Sequence, residues 1–188
     1  KLDDLHYTCS GTPADCVILA AHGVTSFKPD IVISGINRGP NLGTDLVYSG
    51  TAAAARQATL IGIPGIAVSL ATYNKPFRYK ALARLIADKL DFFLSYWSPE
   101  VFININAPDA PEDHEYEIGE GHPSKRVYKD TLKFFDGPDN YSYCFFMDGQ
   151  VETHKDEGSD EDLVSKGMAA ITKVMAHPCF LAPGKNGG

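Results

Sequence analysis

Long apolar runs are missing from this sequence: no stretch approaches the roughly 20 residues that a membrane-spanning helix needs. No signal peptide opens the chain either, so the expected location is the cytoplasm, with no membrane partner. Positive charge is in deficit, with 17 Lys and Arg against 24 Asp and Glu and a net charge of −7. That balance excludes a broad nucleic-acid surface, which clustered Lys and Arg would have to build. It does not exclude a small anionic substrate, because backbone N–H groups and a metal can hold a phosphate without a basic face. Cysteine is sparse: Cys9, Cys16, Cys144 and Cys179 form no C-x-x-C pair and no Cys/His spacing suited to zinc. Four reduced, partly buried thiols are expected. His6, His22, His114 and His177 make no pair at a metal spacing, while His122 (before a proline) and His154 (among charges) are expected to be exposed. A Walker loop, a Gly-x-Ser-x-Gly elbow and a dinucleotide fingerprint are all absent.

What remains is an ordinary globular composition, 44% hydrophobic and 22% charged over 188 residues, enough for one substantial core or at most two small ones. The chain opens on Lys1-Leu-Asp-Asp-Leu5 without an initiator Met and reads from the start like the middle of a domain. An N-terminal piece is therefore expected to precede it. Thr12 can cap a helix that starts at Pro13, where the missing N–H costs nothing, and runs to about His22. Ile31-Val-Ile33 is a short β-branched run, as in a strand buried on both faces of a parallel sheet. A loop with three glycines is expected over residues 34–45, then a helix opening at Ser49 or Gly50 with the helix formers Ala52 to Ala55 behind it. Residues 63–70 and 101–106 read as further strands. Leu82, Leu85, Ile86, Leu90, Phe93, Leu94 and Trp97 recur every three or four residues and predict the core face of one amphipathic helix. Helices alternating with strands imply right-handed crossovers and a layered α/β fold with a mostly parallel sheet.

Beyond Pro111 the pattern changes. Residues 126–134 and 141–147 are strand-like and flank the turn cluster Asp136-Gly-Pro-Asp-Asn140, which predicts a β-hairpin. Tyr128, Phe134, Phe135, Tyr141, Tyr143, Phe145 and Phe146 make this arm aromatic, and a lone hairpin is marginal in water. Its aromatic surface must pack on its own domain or on a partner subunit. Ser159 to Asp162 resembles a capping box for a short helix that Gly167 ends, and residues 168–175 form a last strand. The expected division is a phosphate- and metal-site domain over residues 1–111, the hairpin arm over 112–157, and a returning helix and strand over 158–188.

In an open parallel sheet, ligands sit beyond the carboxyl ends of the strands. The loop after Ile33 lies at such an end, and its Asn37 and Asn41 each offer a carbonyl acceptor and an NH2 donor. An Asn carbonyl suits a hard divalent cation such as Mg2+ or Mn2+. Tyr48-Ser-Gly-Thr51 then opens a helix whose first N–H groups are unpaired and carry the positive end of the macrodipole. Gly/Asn loops and capped helix starts are common singly. Side by side at a strand end they define a phosphate or anion site.

Gly11-Thr-Pro-Ala-Asp-Cys-Val17, Pro29-Asp-Ile-Val-Ile-Ser-Gly-Ile-Asn-Arg-Gly-Pro-Asn-Leu-Gly43 and Tyr48-Ser-Gly-Thr-Ala-Ala-Ala54 closely resemble consecutive blocks of the SurE family. Ile103-Asn-Ile-Asn-Ala-Pro108 and Arg126-Val-Tyr-Lys-Asp130 resemble two weaker ones, and the likeness runs from about residue 5 to residue 178. The resemblance implies a Rossmann-like domain, a hairpin exchanged within a homodimer or homotetramer, and hydrolysis of nucleoside 5′- and 3′-monophosphates with a divalent cation. In the family the cation is held by the two aspartates of an Asn-Asp-Asp-Gly motif, a serine further on, and the Asn of Ser-Gly-Ile-Asn. Only the last maps here, onto Asn37. Asp3-Asp4 lacks the flanking Asn and Gly and is expected to be solvated surface. The chain as given is thus expected to lack the acids of the metal site and to be inactive by itself, with no catalytic residue assigned in it. Asn41, Ser49, Gly50 and Thr51 would hold the phosphate. Two rival readings are a nucleotide-sensing or assembly module without catalysis, and a broader phosphoesterase acting on polyphosphates.

Overall fold

The computed structural model describes residues 1–153 and 156–178. The Thr12 hydroxyl accepts from the Asp15 N–H while the Asp15 carboxylate accepts from the Thr12 N–H, a reciprocal cap that starts α1 (Pro13–Leu19). The chain widens into a π-type turn over Ala20–Val24. Then come β1 (Val32–Arg38), α2 (Gly50–Leu60), β2 (Gly65–Leu70), α3 (Lys80–Asp88), α4 (Leu90–Leu94) and β3 (Val101–Ala107). After them follow β4 (Ile118–Gly121), β5 (Arg126–Asp136), β6 (Ser142–Thr153), α5 (Asp160–Ser165) and β7 (Ala169–Met175).

Five strands form one sheet in the order β1-β2-β3-β7-β4. All pairs are parallel except β3 with β7, which run antiparallel. Every residue of β2 is buried, as is all of β3 but its first residue. Both faces of these central strands are covered, which explains why they are mostly apolar, with Ser69, Asn104 and Asn106 as the buried polar exceptions. Ile66, Val68 and Leu70 pack with Leu82, Ile86 and Phe93 of α3 and α4 on one side. Ala67 and Phe102 pack with Ala52 and Ala55 of α2 on the other. Helix α2 lies so close that a Cβ on Gly65 would sit 2.1 Å from the Ala55 carbonyl oxygen. Small residues on α2 and a glycine on β2 therefore bring the body of that helix down onto the sheet.

Several sequence expectations change. The Ile31–Ile33 run is not buried on both faces: β1 is an edge strand of the sheet, and Ile33 is 44% exposed. The stretch Ser34–Arg38 is strand, not loop: the register slips between Ser34 and Asn37, and pairing with β2 then resumes at Asn37 and Arg38. The helix expected over Leu82 to Trp97 is two helices, because Lys89 leaves helical geometry (φ −116°, ψ 21°). The apolar stripe still faces the core across that break. The edge strand β4 was not foreseen; Ile118-Gly-Glu-Gly121 has neither the length nor the β-branching that marks a strand.

Strands β5 and β6 pair antiparallel as a separate ribbon, and at the usual rise β5 alone spans ~35 Å. Phe135 and Phe145 meet edge to face with ring centroids 5.6 Å apart. Phe134 (66% exposed) and Phe146 (76%) remain in solvent. The arm's aromatic surface is thus not covered by its own domain. No helix among the described residues is long and apolar enough to cross a membrane.

Phe93 is fully buried in the larger core and its neighbour Phe92 is 42% exposed. Phe93→Ala is expected to cost about 3–5 kcal/mol in urea unfolding, and Phe92→Ala less than half as much. Equal losses would contradict this placement of α4.

Candidate phosphate site at the strand ends

Asn104 and Asn106 alternate with Ile103 and Ile105 along β3 and are fully buried. Their amides close on one residue of the loop after β1. The Asn41 backbone N–H donates to Asn106 Oδ1 (2.8 Å), and its carbonyl oxygen accepts from both Asn104 Nδ2 and Asn106 Nδ2 (3.0 Å each). The Asn41 side chain donates from Nδ2 to Ser69 Oγ at 2.7 Å, at the end of β2. A buried polar group left unpaired costs about 1–3 kcal/mol. The four bonds therefore hold the loop, and the loop in turn takes both polar ends of the Asn106 amide and the NH2 of Asn104, while Asn104 Oδ1 stays without a partner among the described residues.

Two buried acids join this loop to the root of the arm. The Asp45 carboxylate accepts from the Leu42 N–H at 3.1 Å, from Arg126 Nη1 and from the Tyr128 hydroxyl. The Asp160 carboxylate accepts from the Gly43 N–H (2.8 Å), the Ser124 N–H (2.9 Å) and the Glu161 N–H (2.9 Å). Gly43 is in left-handed backbone (φ 49°), and a Cβ there would fall 1.8 Å from the Ser124 carbonyl oxygen. Only glycine fits. Burial alone would pull the Arg126 guanidinium down, but the charge of Asp45, with that of Glu161, leaves it above its ordinary value. Burial, then the bond to Asp45, pushes the Tyr128 hydroxyl well up, so it stays a donor at neutral pH.

Helix α2 supplies the anion end. The Ser49 hydroxyl accepts from the Ala52 N–H and the Ser49 carbonyl from the Ala53 N–H, at 3.0 Å each. The amides of Gly50 and Thr51 are left as those the helix itself does not use, at its positive end. In front lies a cavity of about 440 Å3 lined by Pro40, Asn41, Asp45, Tyr48, Ser49, Tyr128 and Asp130. Of the residues expected at the site, Asn41 and Ser49 are in its wall, with Gly50 and Thr51 directly behind Ser49 in the first turn. Asn37 is not in that wall. It is the last residue but one of β1, opposite Ser69, the residue that takes the Asn41 amide, and its Nδ2 donates to the Gly39 carbonyl at 2.9 Å.

The described residues do not make a cation site. No group of three or more His, Cys, Asp or Glu is gathered among them, and Asn37 offers a single neutral oxygen. Asp3 is exposed, its carboxyl held below the usual range by the N–H of Leu5 and by His6, and Asp4 pairs only with Lys1. Both are surface, as the sequence suggests. His122 is exposed and 2.8 Å from Asp156. Cys9, Cys16 and Cys144 are free thiols, while His154 and Cys179 lie outside the described residues. Sequence reasoning missed Asp45, Ser69, Asn104, Asn106, Arg126, Tyr128, Asp130 and Asp160. One signal was available: two amides on the same face of a strand that is otherwise wholly apolar.

A mostly parallel sheet covered by helices, with a clamped loop and a free helix start at its strand ends, defines the chain as a layered α/β domain with a candidate anion site. The family model described as "Survival protein SurE" matches residues 2–130. The "5'-nucleotidase SurE" of Geotalea uraniireducens is 40% identical over 175 residues, 93% of this chain and 71% of that protein. Its namesake in Chloroflexus aggregans is 38% identical over 169 residues, 88% of this chain and 66% of that one. The crystal structure of the SurE protein from Aquifex aeolicus superposes with a TM-score of 0.74 at 30% identity, covering 94% of this chain and 72% of that one. The chain belongs to the survival protein SurE family.

Arg126 is 8% exposed against the buried Asp45. Removing one partner of such a pair strands the other's charge. Arg126→Met is therefore expected to lower unfolding stability by about 3–5 kcal/mol, and a loss below about 1 kcal/mol would show that the pair does not hold the arm root to the loop.

Proposed function

We propose that the protein is a nucleotidase that hydrolyses nucleoside 5′- and 3′-monophosphates to nucleoside and phosphate. The observation that carries this reading is the shared cavity: Asn41, fixed at the strand ends, and Ser49, at the free start of α2, line one 440 Å3 space. The relatives named 5′-nucleotidase support it. The Ser49 hydroxyl and the Gly50 and Thr51 amides and hydroxyl would hold phosphoryl oxygens, with the helix start favouring the negative charge that builds on them. Asn41 would act through its second amide hydrogen, the first being committed to Ser69.

The divalent cation implied by the resemblance, Mg2+ or Mn2+, would take one oxygen from Asn37. Such ions are bound by several oxygens, carboxylates among them, and the described residues gather no such set. The 188 residues taken alone are accordingly expected to hold phosphate without turning it over. The uncovered aromatic arm supports assembly into a homodimer or homotetramer, since contiguous exposed apolar side chains mark interaction surfaces. The deficit of cationic side chains supports a small-molecule substrate over a nucleic acid.

Full-length protein given 5′-AMP or 3′-AMP with Mg2+ or Mn2+ is expected to release inorganic phosphate, and Asn37→Ala is expected to cut that release by tenfold or more with an unchanged circular-dichroism spectrum. Unchanged turnover by the variant would remove Asn37 from the site. Saturable nucleotide binding without phosphate release would instead identify the non-catalytic sensor.

A further inference from the structure

We propose that Cys9 and Cys16 form a reversible oxidation site, a dithiol that a low-molecular-weight disulfide such as oxidised glutathione converts into an internal disulfide clasping the start of α1. The two residues line one small cavity of about 80 Å3, with Tyr7, Leu19, Ala20 and Val24 also around it. Neither cysteine lines the larger cavity in front of the Ser49–Thr51 turn.

The helix start brings the two thiols together. The reciprocal cap of Thr12 and Asp15 fixes the first turn of α1, and the Cys16 N–H donates to the Thr12 carbonyl at 3.3 Å. Just before the cap, the Gly11 N–H donates to Cys9 Sγ at 3.2 Å, which turns that sulfur toward the same turn. Partial burial, and then the neighbouring Cys9 thiol, push the Cys16 thiol above its ordinary value. Both thiols are free, Cys16 exposed and Cys9 half-buried, so a small reagent can reach them. Ahead of Cys9 the chain bonds to itself, the Leu2 and Asp3 N–H groups to the His6 carbonyl and the Leu5 and His6 N–H groups to the Asp3 carboxylate. A disulfide would tie that segment covalently to a helix whose Val17 packs with Ala54 and Ala58 of α2.

The chemistry is two thiol–disulfide exchanges. The Cys16 thiolate, the more exposed of the two, attacks one sulfur of oxidised glutathione. The glutathione S–S bond breaks, one glutathione leaves as thiolate and takes up a proton, and a mixed disulfide remains on Cys16. The Cys9 thiolate then attacks the Cys16 sulfur, forming the internal S–S bond and releasing the second glutathione, which is protonated in turn. The protein gives up two electrons and two protons, and the glutathione disulfide receives both. Reduced glutathione in excess runs the same steps backwards. Where thiols are kept reduced, disulfides of this kind are transient and redox-sensing rather than permanent. Cys144 is exposed on β6, away from this cavity, and provides a single-thiol comparison in the same chain.

The test is peptide mass analysis of full-length protein equilibrated in glutathione buffers of increasing oxidised fraction, with free thiols blocked before digestion. Trypsin cuts after Lys1 and Lys28 and nowhere between, so both cysteines leave on one peptide. That peptide is expected to lose two hydrogen atoms, while the peptide bearing Cys144 gains one glutathione. Cys9→Ser is expected to replace the internal disulfide with a single glutathione adduct on Cys16. Half-oxidation is expected at a glutathione ratio at least about tenfold more reducing in folded protein than in guanidinium-unfolded protein, because the fold raises the effective concentration of each thiol at the other. Two glutathione adducts on the wild-type peptide, two unmodified thiols at the most oxidising ratio, or the same midpoint folded and unfolded would each overturn the proposal.

Discussion

The rest of the site depends on the clamp around one backbone unit, the peptide groups flanking Asn41. Three side chains from two buried strand ends satisfy its N–H, its carbonyl and its own amide. The strands could not bury Asn104 and Asn106 without this partner, and the loop could not hold its course without them. Each bond contributes only about 1 kcal/mol net, but the cost of leaving any group unmade is larger, so the arrangement is effectively one unit. Its consequence is positional: the chain leaving the clamp passes through Gly43 and Asp45 and delivers Ser49 and the α2 start to a fixed place over the sheet.

Asp45 and Asp160 extend that order to the arm. Asp45 reads Arg126 and Tyr128, and Asp160 reads Gly43 and Ser124, so the base of a ribbon whose outer surface is exposed is nevertheless fixed at its root. Contacts that a partner makes far out on the arm would therefore bear on the same residues that line the cavity. The site and any assembly surface share a hinge of buried ion pairs rather than a flexible linker.

Much of the fold was legible in the sequence because it followed from short-range chemistry. Thr12 and Pro13 mark a helix start, Ala52 to Ala55 a helix body, and the run from Val101 to Asn106 a strand. The helix start at Ser49 to Thr51 could be read because a hydroxyl cap followed by helix formers marks one locally. The two-helix break at Lys89 and the short edge strand β4 were not legible: local propensity does not reveal where a packed stripe bends, or that four residues will complete a sheet. Nor were the acids. Asp45 and Asp160 look like ordinary surface carboxylates until partners 81 and 117 residues away are brought to them. Long-range hydrogen bonds leave no spacing in a sequence. The family resemblance located Asn37 but not the cavity, whose far wall lies on β5.

The most direct test of the clamp is calorimetric titration of a nucleoside monophosphate into the wild-type protein and into Asn106→Leu, with each shown to be folded by its cooperative unfolding. The variant keeps a buried side chain of similar size but loses both bonds to Asn41. The clamp as described predicts at least tenfold weaker binding in a protein that still folds. Unchanged affinity in a folded Asn106→Leu would mean that the phosphate turn is held in place by something other than Asn41.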